Sequence, residues 1–408
     1  MSRTSSHDKT QADMQGFTFT RKQSASNKTP RRINRNLVFN LVRMRQPISR
    51  ADLARVSGLQ RSTVSLIVED LIESRWISEG SMGRLPRGRR PTFLQVNDSR
   101  AVIALDIHPD QTTVAVADLG GHIVAQSVIT NDRSKKPSDE GKAEIATIVN
   151  VIRKMIAVHS ERSFDGIGIS LPGRADERQQ LIFAPNLSWR TTDIKAKIAR
   201  ATGLRVEMDN VANACALSEV WFGDTDGSRD LVVVNVSEGI GTGIFANGKL
   251  LRGEGGMAGE FGHVEMVVNG PLCACGNHGC WETVASNRAA LRYYHELAGS
   301  KAAERNGRMT FDALLKLAQT GDVYATQSME KMARYLGRGM RMIASALSPR
   351  EIIVVGDITM AWHVFGPVVE NEFRKNSLAR STVLRPAYDA KAARLRSAVA
   401  LVWNERAI

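Results

Sequence analysis

From Ile33 the apolar positions Ile33, Leu37, Val38, Leu41 and Val42 recur at helical spacing and predict a first amphipathic helix. A second, short helix follows, with Ser49 placed to cap it, Asp52 placed to reach back to the cap, and Gly58 to end it. A third opens near Gln60 and sets Val64, Ile67, Val68, Leu71 and Ile72 on one stripe. Trp76-Ile77 and Phe93 to Val96 then read as strands around a Gly/Pro/Arg loop at 80–91, so the pattern predicts a winged helix-turn-helix over 31–98. After Asn97 the period changes. Val102–Ile107, Thr112–Asp118, His122–Ile129, Gly166–Leu171, Leu231–Val236 and Glu351–Val355 read as strands, with a helix at Ala143–His159 and further helical stretches between. The result is an α/β body, expected in two lobes because about 310 residues exceed one typical core. Residues 1–30 are Ser/Thr/Gln/Lys-rich with few large apolar side chains and are expected to form a disordered basic tail.

Charge sharpens this division. The chain of 408 residues carries net +13, yet residues 1–100 hold 19 Lys/Arg against 8 Asp/Glu, and the rest hold 36 against 34. A basic head on a nearly neutral body points to a polyanion, double-stranded DNA before a membrane, since no basic helix with large apolar anchors is evident. If the third helix enters a major groove N-terminus first, Gln60, Arg61, Ser62, Thr63 and Ser65 are the candidates for base or phosphate contact. The competing reading is an ordinary solvated helix face. In the loop, Arg84, Arg87, Arg89 and Arg90 suit a narrow minor groove or phosphates, against the alternative of a charged linker.

Only four cysteines occur, and the N-terminal stretch has no apolar run of signal-peptide or membrane-span length, so a reducing cytoplasm is expected. Cys215 lies in an apolar-rich run and reads as a core residue. The others are grouped: His263 is followed by Cys273, Cys275 and Cys280, with Gly276 and Gly279 allowing the chain to reverse. Three thiolates and an imidazole suit tetrahedral Zn²⁺ in a closed, structural site. Ordinary buried thiols are the alternative.

Taken with the winged head, the stretches Gly168–Gly173 (GISLPG), Ala184–Trp189 (APNLSW), Glu238–Gly243 (EGIGTG) and Gly259–His263 (GEFGH) before CACGNHGC resemble the ROK family of bacterial sugar kinases and sugar-responsive repressors over residues 31–408. The resemblance implies a two-lobed actin-like ATPase fold with a ribonuclease-H-like sheet in each lobe. The first lobe is then expected over 99–215 plus 387–408, with a final helix at about Ala387–Trp403, and the second, zinc-bearing lobe over 216–386. It also implies a sugar in the cleft held by Asn186, Asn210, Glu260, His263 and Glu282, where carboxylates and amides suit vicinal hydroxyls.

Three positions depart from the kinase pattern. Aligning Asn210-Val211-Ala212-Asn213 with the family's Asn-Asp-Ala-Asn motif puts Val211 where the general base belongs, and Val cannot take a proton. A bulge that restored the neighbouring Asp209 remains open as a rescue. The phosphate loop reads Asp106-Ile107-His108-Pro109 without its glycines, and Val355-Gly356-Asp357 replaces a Gly-Gly nucleotide loop. The Glu238–Gly243 loop retains its glycines, either for phosphate or merely for a turn. These features lead to a sugar-responsive repressor without kinase activity, acting as a homodimer or homotetramer. The alternatives are an ATP-dependent sugar kinase with a DNA-binding head, and a constitutive DNA-binding protein whose body only oligomerises.

Overall fold

The computed structural model describes residues 28–82, 92–131, 142–175, 181–184, 187, 193–223, 230–299, 309–375, 381–387, 389 and 392–406. Asn186, Arg84, Arg87, Arg89 and Arg90 lie outside the described residues, as does the tail up to residue 27. Helix α1 (Lys28–Arg45) begins inside the stretch expected to be tail. α2 (Arg50–Ser57) is capped as its sequence predicts: the Ser49 hydroxyl accepts from Asp52 N at 3.2 Å and donates to the Asp52 carboxylate at 2.7 Å. α3 (Arg61–Glu73) buries Val64, Ile67, Val68 and Leu71. Strands β2 (Ile77–Met82) and β3 (Thr92–Val96) pair antiparallel as the wing. The sequence pattern did not reveal β1 (Ile48–Ser49), which pairs with β3 and ties the second helix to the wing.

The body repeats one sheet topology. β4 (Arg100–Ile107), β5 (Gln111–Asp118) and β6 (Ile123–Thr130) form an antiparallel meander. α4 (Lys142–Val158) leads to β7 (Ser163–Leu171), parallel to β4, and the β8–β9 hairpin (Arg174–Ala175, Leu181–Phe183) and α5 (Ile194–Thr202) lead to β10 (Val206–Asn210), parallel to β7. The strand order is β10-β7-β4-β5-β6. α6 (Val211–Phe222) crosses to the second sheet, where β11 (Leu231–Val236), β12 (Ile240–Ala246) and β13 (Lys249–Leu251) again form a meander. β14 (Glu351–Gly356) and β15 (Val383–Pro386) then extend it in parallel, giving β13-β12-β11-β14-β15. β11, LVVVNV, is buried at every position, as expected of a strand covered on both faces. Around this sheet lie α7 (Trp281–Ala285), α8 (Asn287–Ala298), α9 (Phe311–Gln319), α10 (Val323–Leu347) and α11 (Trp362–Phe373).

The final helix, α12 (Ala393–Arg406), returns to pack on β4, β7 and α6. It starts later than the resemblance suggested, at Ala393, just after Asp389, whose carboxylate accepts from Ala392 N at 3.2 Å. Head and body share one continuous core. Trp403 of α12 lies 5.6 Å from Phe39 and 5.5 Å from Trp76 of the head, and 5.9 Å from Trp221 and 5.0 Å from Phe222 of α6, between ring centroids. Arg100 of β4 reinforces this seam: it forms a buried ion pair with Asp165 at 2.8 Å, donates to the Ser74 carbonyl at 2.8 Å and lies over the Trp76 ring. No helix among the described residues is long and apolar enough to cross a membrane.

Candidate functional site

Two surfaces concentrate the chemistry-bearing residues. On the head, the start of α3 presents Gln60, Arg61 and Ser62 to solvent, with Thr63 and Ser65 half-buried, and its opposite stripe fills the core. In the body, a cleft between the sheets is lined by Asn210, Val211, Glu260, His263 and Glu282 together with His108, Arg174, Glu238, Arg288 and Arg394. Four of the five residues expected to hold a sugar thus meet at one cleft, 72 residues apart in sequence at the extremes.

Each is placed by a definite local device. Asn210 ends β10 and caps α6, its Oδ1 accepting from Ala212 N at 2.8 Å while its amide nitrogen donates to the Gly173 carbonyl, so the side chain also anchors the LPG loop. Glu260 and His263 share a single turn of 3-10 helix, and His263 Nε2 lies 3.5 Å from Glu260 Oε2. Burial pushes the Glu260 carboxyl above its usual range, against the lowering charges of His263 and Arg174. Glu282 stands in the first turn of α7, whose neighbour Trp281 is fully buried and donates its indole N–H to the Tyr335 carbonyl at 3.0 Å.

Behind the cleft wall, His263, Cys273, Cys275 and Cys280 bring one ligand atom each to within 4.8 Å of one another. Cys275 and Cys280 sulfurs are 3.7 Å apart, and Cys273 Sγ is 3.4 Å from His263 Nδ1. A tetrahedral Zn²⁺ with ordinary bond lengths requires about 3.8 Å between sulfurs and about 3.5 Å between sulfur and nitrogen. The donor set and spacing therefore fit a metal of this class. The backbone makes the fit: Met266 N donates to Gly279 O at 2.7 Å and Cys273 N to Asn277 O at 2.7 Å. Gly279 sits at φ 66°, where a Cβ would meet the Val267 carbonyl at 1.7 Å. Glu282 Oε1 is 3.0 Å from Cys273 Sγ, which links the cleft wall to the cluster.

The other half of the cleft is internally occupied. Asp106, the carboxylate of the phosphate loop, receives two hydrogen bonds of 2.8 Å from the Arg394 guanidinium. Glu238 pairs with Arg288 at 3.0 Å, and Asp357 accepts from Asn287 at 3.0 Å. His108 has its pKa lowered, first by burial and then by the Arg394 charge. The glycines of the Glu238–Gly243 loop have packing reasons: a Cβ on Gly243 would strike the Ala212 carbonyl at 2.1 Å, and one on Gly239 would reach Glu282 at 2.5 Å. Asp209 offers no bulge. Its side chain, 1% exposed, is in an ion pair with Arg252 at 2.5 Å and accepts from Asn210 N at 2.7 Å and Asn213 Nδ2 at 3.2 Å. Sequence reading missed Arg394, Arg288 and Arg252, whose partners are 288, 50 and 43 residues away and leave no local pattern. An unmatched carboxylate at Asp106 was the one available hint.

A ROK family profile matches residues 102–403. The xylose repressor of Bacillus subtilis (strain 168) is 31% identical over 351 residues, 86% of this chain and 88% of its own length. A glucokinase of Streptomyces coelicolor is 32% identical over 314 residues, 74% of this chain and 95% of its own. In three dimensions the chain is similar to the crystal structure of a ROK family transcriptional regulator, a homologue of the E. coli MLC protein, with a TM-score of 0.72, 25% identity, and coverage of 92% of this chain and 96% of that one. The match over about three quarters of the chain, with the duplicated sheet and the His/Cys cluster, establishes that this chain belongs to the ROK family.

Proposed function

We propose that this chain is a DNA-binding transcriptional regulator, a repressor, whose kinase-like body senses a sugar or sugar derivative without phosphorylating it. One observation carries this reading: Val211 lies at the cleft where a base is needed, and the carboxylate two residues before it, Asp209, is held by Arg252. Loss of a positioned general base costs a factor of about 10² to 10⁴. The ion pair of Asp106 with Arg394 further supports a cleft that has given up nucleotide chemistry. Similarity to a xylose repressor and to a ROK regulator extends over the head as well as the body, whereas the glucokinase match covers a smaller share of the chain.

In this reading Glu260, Glu282 and His263 Nε2 meet sugar hydroxyls, with Asn186 and Asn210 completing the site. Zn²⁺ would be held by His263, Cys273, Cys275 and Cys280 and, with four protein ligands, would act as a structural clamp for the wall on which Glu260, His263 and Glu282 stand. α12 is suited to carry the signal, since Arg394 faces the cleft and Trp403 packs under the head on the same helix. A homodimer or homotetramer in the cytoplasm would present paired heads to an operator, Gln60, Arg61, Ser62, Thr63 and Ser65 entering the major groove and Arg84, Arg87, Arg89 and Arg90 contacting the backbone or minor groove. A hundredfold loss of operator affinity on sugar binding corresponds to about 2.7 kcal/mol of coupling.

The test begins with selection of duplexes from a random pool by the full chain, followed by binding in the presence of a panel of monosaccharides and their derivatives. The expected result is a defined site whose occupancy falls with at least one sugar, with no ATP-dependent phosphorylation of that sugar. Turnover above background would favour the kinase reading. If no sugar shifts either thermal stability or DNA affinity, the body is not a sensor.

A further inference from the structure

The solvent-facing side of α3 carries one residue whose exposure the core does not explain. Leu66 is 66% exposed, the most exposed of the large apolar side chains described in the head, while Val64, Ile67 and Val68 beside it are buried. It stands four residues after Ser62 and three before Glu69, so that Ser62, Leu66 and Glu69 form a single outward stripe flanked by Arg61 and the half-buried Ser65. That stripe begins at the helix N-terminus, the end that a recognition helix directs toward base edges.

We propose that Leu66 is a specificity-determining residue that reads the methyl group of a thymine in each half-site. The proposal rests on the head being a DNA reader. An isobutyl side chain can neither donate nor accept a hydrogen bond, so it cannot distinguish the polar edges of guanine, cytosine or adenine. The C5 methyl of thymine is the one apolar group that an unmodified base pair presents in the major groove. Contact buries the Leu and the methyl together and leaves no polar atom unsatisfied, whereas a cytosine at that position would set its amino group beside hydrocarbon. Ser62 and Glu69, on either side, supply the hydrogen-bonding that positions flanking that thymine.

The experiment needs no knowledge of the sugar. The full chain selects its site from random duplexes, and each thymine in that site is replaced in turn by deoxyuridine, which removes only the methyl. One thymine per half-site is expected to lose about fourfold in affinity, the factor a buried methyl-sized group is worth. Leu66→Ala, an exposed change that favours the helix, is expected to bind the thymine site more weakly by a similar factor and to be indifferent to that one replacement. Leu66→Gln is expected to shift selection there toward adenine, which Gln meets with two hydrogen bonds. The inference is overturned if every deoxyuridine effect persists undiminished in Leu66→Ala, or if wild type and variant select the same sequences with the same strength. A changed oligomeric state with an unchanged site overturns it in favour of a second copy covering Leu66. Failure of the wild type to select any sequence refutes DNA reading by the head itself, an outcome distinct from the others.

Discussion

Replacing Trp403 tests whether head and body form one energetic unit. The side chain is fully buried and its ring meets two rings of the head and two of α6, at 5.0 to 5.9 Å. Truncating a buried Trp to Ala costs about 3–5 kcal/mol, and losing four edge or tilted ring contacts favours the upper end. One term opposes it: the Trp403 indole N–H is buried with no acceptor among the described residues, and removing an orphaned donor returns about 1–3 kcal/mol. The expected net loss is about 3 kcal/mol, more than a hundredfold in the folding equilibrium. Trp403→Phe keeps an aromatic ring and deletes the orphaned N–H, so it is expected within about 1 kcal/mol of wild type. Urea unfolding followed by far-UV circular dichroism and by proteolytic cleavage of the head measures both. Because the Ala variant removes the ring between Phe39-Trp76 and Trp221-Phe222, the head should open at lower urea than the body. A single coincident transition within 1 kcal/mol of wild type for Trp403→Ala, or a Phe variant as damaged as the Ala variant, refutes the reasoning.

Metal analysis of the purified chain should find one zinc per chain, and a strong chelator should unfold the segment from His263 to Glu282 and abolish any sugar response; structural zinc contributes about 10–16 kcal/mol in small domains. Folding and sugar response unchanged without metal refute the clamp. Arg394→Met strands the Asp106 carboxylate and is expected to cost about 3–5 kcal/mol; adding Asp106→Asn should recover most of it in urea titrations, and purely additive losses would disprove the pairing. His108 is held below its ordinary value of 6.5 by burial and by Arg394. The unfolded chain therefore gains this proton first as pH falls below 6.5, stability drops until the lower folded value is reached, and His108→Gln should flatten that window of the stability profile. Parallel profiles of wild type and variant would count against it.

Local periodicity carried much of the architecture because the head and the strands obey it. Val64 to Leu71 repeat at the helical spacing and are buried accordingly, and Ser49 with Asp52 forms its cap from residues three apart. The cysteine cluster was equally plain, since its ligands lie within 18 residues and two glycines mark the reversal. What escaped notice was decided by partners distant in sequence. β1 has two residues and exists because β3 offers it an edge, and the final helix opens at Ala393 rather than near Ala387.

The glycines of the Glu238–Gly243 loop show why a motif alone could not separate the two functions. Phosphate binding and close packing both demand the absence of Cβ, and only the position of the Ala212 carbonyl shows that packing by itself suffices to require Gly243. The same holds for Asp106. A carboxylate near the end of β4 is compatible with a nucleotide site by sequence, but Arg394, 288 residues later, donates to both of its oxygens. That pair places a buried guanidinium on α12, nine residues before the Trp that packs against the head. A helix rises about 1.5 Å per residue, so the two ends of this connection are about 14 Å apart on one rigid element. Any displacement of Asp106 must therefore either break a charge-assisted pair of hydrogen bonds or move Trp403 with it.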